Sequence, residues 1–135
     1  MRVHDYFDFH AQQSPDSEFA VGTDRRITYG EAQRESNRIA HALIAAGLHP
    51  GDRIALLLKN SIDAVLIYYG AFKAGIVPTP VNHRLTQAEW VRIADDMEAK
   101  LLISDAAFAA DVDSLRCHLR SVRSYIARVA EPLAG

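Results

Sequence analysis

Apolar positions along this chain recur at two different periods, and the switches between them mark its elements. From Val3 to Gln13, Val3, Phe7 and Ala11 fall at helical spacing until Ser14-Pro15-Asp16 interrupts them, which predicts a short opening helix. Two β-rich pieces follow, Phe19 to Gly22 and Arg26 to Thr28, joined by Thr23-Asp24-Arg25, a connection of hairpin length. Thr28-Tyr29-Gly30-Glu31 has capping-box form and predicts a helix from Tyr29, with Ala32, Ser36, Ile39, Ala40, Leu43 and Ile44 on one face and Gly47 at the left-handed turn that ends it.

Arg53 to Leu58 is a continuous apolar run after its first residue, as expected for a strand covered on both faces of a parallel sheet. Ser61 can cap the next helix. Ile62, Val65, Leu66, Tyr69 and Phe72 follow its repeat, and Ala64, Ile67, Tyr68 and Ala71 make its other sides apolar, so burial nearly all round is expected. Ile76 to Val81 is extended, but Pro78 and Pro80 cannot donate to a ladder and confine pairing to an edge or to the start of the segment. Thr86 to Glu89 repeats the capping box ahead of Trp90, Ile93, Ala94 and Met97, a helix ending near Glu98. Leu101 to Ile103 is a further strand, Ser104-Asp105 can cap a helix running to about Leu119, and Val122 to Val129 holds a strand around Tyr125-Ile126 before the linker-like Glu131 to Gly135.

Strands alternating with helices at these distances predict the α/β class: a three-layer αβα arrangement with a mostly parallel sheet, preceded by a short helix and a β-hairpin. The 135 residues, 49% apolar, suit one unit over residues 1–135. Fifteen Lys and Arg against 17 Asp and Glu give a formal charge of −2, which offers a polyanion such as nucleic acid no long-range attraction. Apolar runs such as Ile54 to Leu58 are far shorter than the roughly 20 residues of a membrane-crossing helix, and no signal-type stretch follows Met1 to Asp5, so a soluble cytoplasmic protein is expected.

Chemistry is sparse. Cys117 stands alone, without disulfide partner or zinc-type spacing, and reads as a small buried or half-buried side chain. His4, His10, His41, His49, His83 and His118 show no metal-ligand spacing and read as surface or packing residues. Asp5 and Asp8 beside His4 suit a first helical turn better than an acid–base group. The glycines at 22, 30, 47, 51, 70 and 75 are isolated turn and packing residues, and no phosphate-cradling Gly-rich loop occurs. Ser14, Ser17, Ser36, Ser61 and Ser104 lie in no nucleophile elbow and read as turn and cap residues. Arg116, Arg120 and Arg123 read as a solvated charged face of the last helix.

Two blocks resemble a known family. Ile27-Thr28-Tyr29-Gly30-Glu31-Ala32 resembles the first core motif of adenylate-forming (AMP-binding) enzymes, and Phe72-Lys73-Ala74-Gly75-Ile76-Val77-Pro78-Thr79-Pro80-Val81-Asn82 resembles the second. Asn37-Arg38, Pro50-Gly51-Asp52-Arg53-Ile54-Ala55, Asn60-Ser61, Arg84-Leu85-Thr86, Glu89 and Ala99 to Ile103 follow the connecting pattern in order, so the likeness covers almost the whole chain. Val81 to Thr86 looks more like acyl- or aryl-CoA ligases than peptide-synthetase adenylation domains.

The resemblance implies the N-terminal part of a ligase that joins a fatty or other hydrophobic carboxylic acid to CoA through an acyl-adenylate, using ATP, Mg²⁺ and CoA. The family's phosphate loop and its catalytic residues lie beyond the likeness, so no catalytic, cofactor-binding or metal-binding residue is assigned to this chain. Inactivity and self-association of the chain alone are expected, with the remainder of the ligase as its partner. The matched residues look architectural, and Lys73 reads as a solvated last-turn lysine. The rival readings are the start of a peptide-synthetase adenylation domain and a naturally short, non-catalytic interaction protein.

Overall fold

The computed structural model describes residues 1–129. They form two compact units, one of residues 1–50 and 60–76, the other of residues 51–59 and the chain from Val77 onward.

In the first unit, helix α1 (Val3–Gln13) is followed by the antiparallel hairpin β1 (Glu18–Val21) and β2 (Arg26–Thr28), then by helices α2 (Tyr29–Ala45) and α3 (Ile62–Lys73). Both predicted caps form. The Thr28 hydroxyl accepts the Glu31 N–H at 3.3 Å while Glu31 accepts the Thr28 N–H at 3.0 Å, and the Ser61 hydroxyl accepts the Ala64 N–H at 3.1 Å. Gly47, at φ 87°, takes the left-handed turn after α2, where a Cβ would be strained.

Phe7, Ile27, Ala32, Ile62 and Leu66 make the core of this unit, and burying a side chain such as Leu66 contributes about 1.5–3 kcal/mol. Three predicted apolar positions fall outside it, Val3, Ile44 and Val65 of α3. Val3 is exposed and His4 is buried in its place, because His4, three residues before Phe7, shares the helix face of Phe7 and Ala11; Ile44 is exposed because the buried stripe of α2 runs through Ala32, Ser36, Ala40 and Leu43. Ser36 is a fully buried residue of the α2 interior, not a cap, and turns its hydroxyl back to the Gln33 carbonyl at 3.1 Å.

The second unit is a parallel four-stranded sheet in the order β4-β3-β5-β6, made of β3 (Arg53–Leu57), β4 (Val77–Pro80), β5 (Leu101–Asp105) and β6 (Ser124–Arg128), with α4 (Gln87–Asp96) and α5 (Ala109–Leu115) between strands. β5 is buried throughout and β3 at every position after Arg53, which is why both read as unbroken apolar runs. β4 lies at the edge, as its prolines require. Val77 and Val81 donate to Asp52 and Leu56 carbonyls at 2.8 Å each, so alternation turns Pro78 and Pro80 outward, where no N–H is needed. The second capping box forms as well, with Glu89 N–H to Thr86 Oγ1 at 3.3 Å and Thr86 N–H to Glu89 Oε2 at 2.8 Å.

The segment after β5 departs from expectation. Ser104 and Asp105 cap nothing; they are the buried last residues of β5, in register with Ala127 and Arg128. The predicted long helix is a 3₁₀ turn at Ala106–Phe108, the short α5, and a second 3₁₀ turn at Arg116–His118. Two local bonds tighten its end: Ser114 Oγ donates to the Asp111 carbonyl at 2.7 Å, and the Leu119 N–H is shared between Leu115 and Arg116 carbonyls at 3.2 Å each. Arg120 and Arg123 therefore lie beyond the helix and share no face with Arg116, whose guanidinium sits 4.4 Å from the Tyr125 ring centroid. Cys117 is exposed in the second 3₁₀ turn, not buried, because the inward positions are taken by Val112 and Leu119. The expected linker, Glu131 to Gly135, lies outside the described residues.

Candidate functional site

In open α/β sheets, ligands bind outside the carboxyl ends of the strands. In the second unit that end is formed by Leu58 and Lys59 after β3, Val81 to Leu85 after β4, Asp105 to Phe108 after β5, and Arg128. Asp105 is its fixed point: only 7% exposed, its carboxylate accepts the Lys59 backbone N–H at 2.8 Å and Arg128 Nε at 2.8 Å. A buried carboxylate survives there because both oxygens are engaged and a guanidinium lies against it.

The loop after β4 is anchored by Trp90, whose indole N–H donates to the Asn82 carbonyl at 3.1 Å, while the Asn82 side chain accepts the Arg84 N–H at 3.0 Å in an Asx turn. Phe108 joins these pieces. Its ring lies 5.9 Å from Trp90, 5.6 Å from His83 and 5.7 Å from the Lys59 ammonium. Strand ends thus present a lysine, an imidazole and an aromatic face. They offer a cationic, partly apolar rim to an anionic or planar group; no nucleophile–base pair is assembled among them.

The residues weighed from the sequence are brought together differently. His4 lies 3.6 Å from the Asp5 carboxylate, which also accepts the Arg2 N–H at 2.7 Å; that bond to the backbone holds the Asp5 carboxyl below its usual range. Asp8 is occupied elsewhere, by Lys73 at 2.9 Å. Lys73 itself is not solvated: its side chain is 9% exposed, bonds Asn37 Oδ1 at 2.8 Å, and lies 5.0 Å from the Phe7 ring centroid, so it ties α1, α2 and α3 together. Among the described residues no three His, Cys, Asp or Glu side chains converge as a metal site would need, and no helix is long and apolar enough to cross a membrane.

Sequence reasoning missed Asp105, Arg128, Phe108 and Lys59 as a group. The available signal was Asp105 at the end of an otherwise apolar strand, where a carboxylate is buried only with a partner.

The family described as AMP-binding enzyme matches residues 7–133. A fatty acid–[acyl-carrier-protein] ligase of Streptomyces coeruleorubidus is 45% identical over 107 residues, covering 79% of this chain and 21% of that protein. A long-chain-fatty-acid–CoA ligase of Mycobacterium tuberculosis is 40% identical over 94 residues, covering 70% of this chain and 19% of its own length. An inhibitor-bound crystal structure of the N-terminal domain of FACL13 from Mycobacterium tuberculosis superposes with a TM-score of 0.89 at 33% identity, over 94% of this chain and 33% of that one. The chain thus spans about a fifth of the length of the curated relatives it matches.

Proposed function

The chain belongs to the AMP-binding enzyme family, and we propose that it serves a cytoplasmic ligase that activates a fatty or other hydrophobic carboxylic acid with ATP and Mg²⁺ and passes the acyl group to CoA. The observation that carries this reading is the family match across residues 7–133. Both relatives above are named as fatty-acid ligases, which supports the acid class; their acceptors differ, a carrier protein in one and CoA in the other.

Within that reaction the chain's own contribution is a wall. Its two units supply the parallel strands and the helix that Lys73 pins, and the carboxyl end of the sheet offers a rim to substrate. The sequence holds no Gly-rich phosphate loop, so in this reading the groups that grip the ATP phosphates and Mg²⁺ come from the remainder of the ligase. Transition-state stabilisation needs donors fixed around developing charge, so the 135-residue chain alone is expected to leave ATP and carboxylic acids unchanged.

A chimera tests the reading. The matched section of the M. tuberculosis fatty-acid–CoA ligase is replaced by this chain, and pyrophosphate release is followed with a long-chain acid and CoA. Retained fatty-acid-dependent turnover supports the proposal. A folded but inactive chimera overturns it, and so does ATP turnover by the isolated chain with any acid. The carrier-protein reading, favoured by the 45% identical relative, is separated from the CoA reading by offering each acceptor in turn.

A further inference from the structure

Asp105 sits where three strands end. The sheet order places β5 between β3 and β6, so a carboxylate on its last residue can reach both neighbours. It does so with one oxygen for each. Oδ1 takes the Arg128 guanidinium, Nε at 2.8 Å and Nη2 at 2.7 Å, while Oδ2 accepts the Lys59 backbone N–H at 2.8 Å. The 3₁₀ turn Ala106–Phe108 follows directly, so Phe108 hangs three residues from Asp105 on the same backbone. One buried carboxylate therefore places two parts of the rim at once, and the Lys59 ammonium, 5.7 Å from the Phe108 ring centroid, joins them. All of these groups belong to the second unit, so their bonds stand whatever the remainder of the ligase packs against.

Stability alone does not call for a charge here. Desolvating two ions costs much of what their attraction returns, and a well-packed apolar pair can hold a strand end as firmly. An apolar pair cannot fix a backbone N–H at one point, however, and the loop fixed in this way carries an exposed lysine at the end of the sheet where ligands bind. Asp105 itself is buried and does not reach substrate. We infer that Asp105 is a positioning residue of the ligase: through the Lys59 amide it holds the Lys59 ammonium against Phe108, where that ammonium meets an anionic group of a substrate. Groups that contact substrate depend on such supporting bonds, since a misplacement of about 1 Å can cost on the order of 100-fold in rate. ATP, a fatty acid and CoA all carry anionic groups, and the role assigned to Asp105 rests on the ligase reading above.

The chimera described above tests it, with the KM of ATP, acid and CoA each measured while the other two saturate. A parent chimera without turnover means that the ligase reading has failed, and the role of Asp105 falls with it; an active parent isolates the role itself. In that parent, Asp105→Asn should raise the KM of one of the three about tenfold while kcat stays within about twofold, and Lys59→Gln should raise the same KM by about as much. Because Asp105 acts through Lys59, the double variant should be no worse than the worse single one, whereas independent roles would multiply to about 100-fold. Leu102→Ala opens the core of the same strand and should lower the melting temperature without moving any KM, which separates positioning from loss of stability. Lys59 is exposed, so Lys59→Gln remains a folded test even where Asp105→Asn is not. Three unchanged KM values in Lys59→Gln or in a folded Asp105→Asn, multiplying effects in the double variant, or a Leu102→Ala that raises the same KM would each overturn the proposal.

Discussion

Gly70 of α3 and Ile39 of α2 are in such close approach that a single added methyl has no room: a Cβ built on Gly70 would lie 2.5 Å from Ile39 Cγ2 and 3.0 Å from the Ser36 carbonyl oxygen. Two effects oppose each other in Gly70→Ala. Alanine favours the helix by about 1 kcal/mol over glycine, while overpacking against a β-branched side chain and a helix backbone costs about 1–3 kcal/mol. The backbone atom cannot swing away, so crowding wins, and urea denaturation should show a net loss of about 1–2 kcal/mol. Ile39→Ala in the same chain should recover part of that loss, and additive effects would rule out the clash as its cause.

Lys73 joins α3 to Asp8 of α1 and Asn37 of α2 with its ammonium beside the Phe7 ring. Lys73→Met keeps the length and apolar stem but leaves the Asp8 carboxylate without its cation. Breaking a fully buried pair costs about 3–5 kcal/mol, but Asp8 is 31% exposed, so a loss of about 1–2 kcal/mol is expected. A double-mutant cycle with Asp8→Asn checks the pairing, with a coupling of at least about 0.5 kcal/mol expected; zero coupling would reduce Lys73 to its packing.

What was legible in the sequence was local. The caps at Thr28, Ser61 and Thr86 each depend on a bond between residues three apart, and the prolines of β4 exclude an interior strand by their covalent structure alone. Illegible were contacts between residues distant in sequence. Lys73 reads as an ordinary helix-end lysine until the fold brings Asp8 and Asn37 to it, and Asp105 reads as a cap until Arg128 and the Lys59 amide are placed around it. For the same reason the rim at the strand ends had no sequence signature: Lys59, His83 and Phe108 come from three different loops and meet only in the fold. The broken helix after β5 failed differently, since the pattern Phe108, Val112, Leu115, Leu119 is helical in period while the Ser114 and Leu119 bonds decide where regular α geometry stops.

Asp105 should be the most sensitive polar position of the second unit. Asp105→Ala removes the acceptor of both the Lys59 amide and the Arg128 guanidinium in a nearly dry setting. A loss of about 2–4 kcal/mol is expected in denaturant unfolding, with the smaller part of it restored by Asp105→Asn, which keeps one acceptor. Hydrogen exchange at the Lys59 amide supplies the local readout: faster exchange in the alanine variant is expected, and unchanged protection would mean that this bond does not hold the loop after β3.

The capping box ahead of α4 sets a pH dependence whose sign follows from Glu89. Its carboxylate accepts the Thr86 backbone N–H at 2.8 Å and the Thr86 hydroxyl at 2.9 Å, and these bonds, the backbone one foremost, hold its pKa below the ordinary 4.5. A carboxyl whose folded value is depressed binds fewer protons folded than unfolded, so its contribution is complete above about pH 4.5 and is lost as pH falls through the lower folded value. Glu89→Gln should therefore melt below the parent at neutral pH and approach it as the solution is acidified. Other carboxylates, Asp5 among them, titrate in both proteins, so the difference between the two melting curves isolates Glu89. A gap that stays constant through the acid range would mean that the glutamate holds the helix end without its charge.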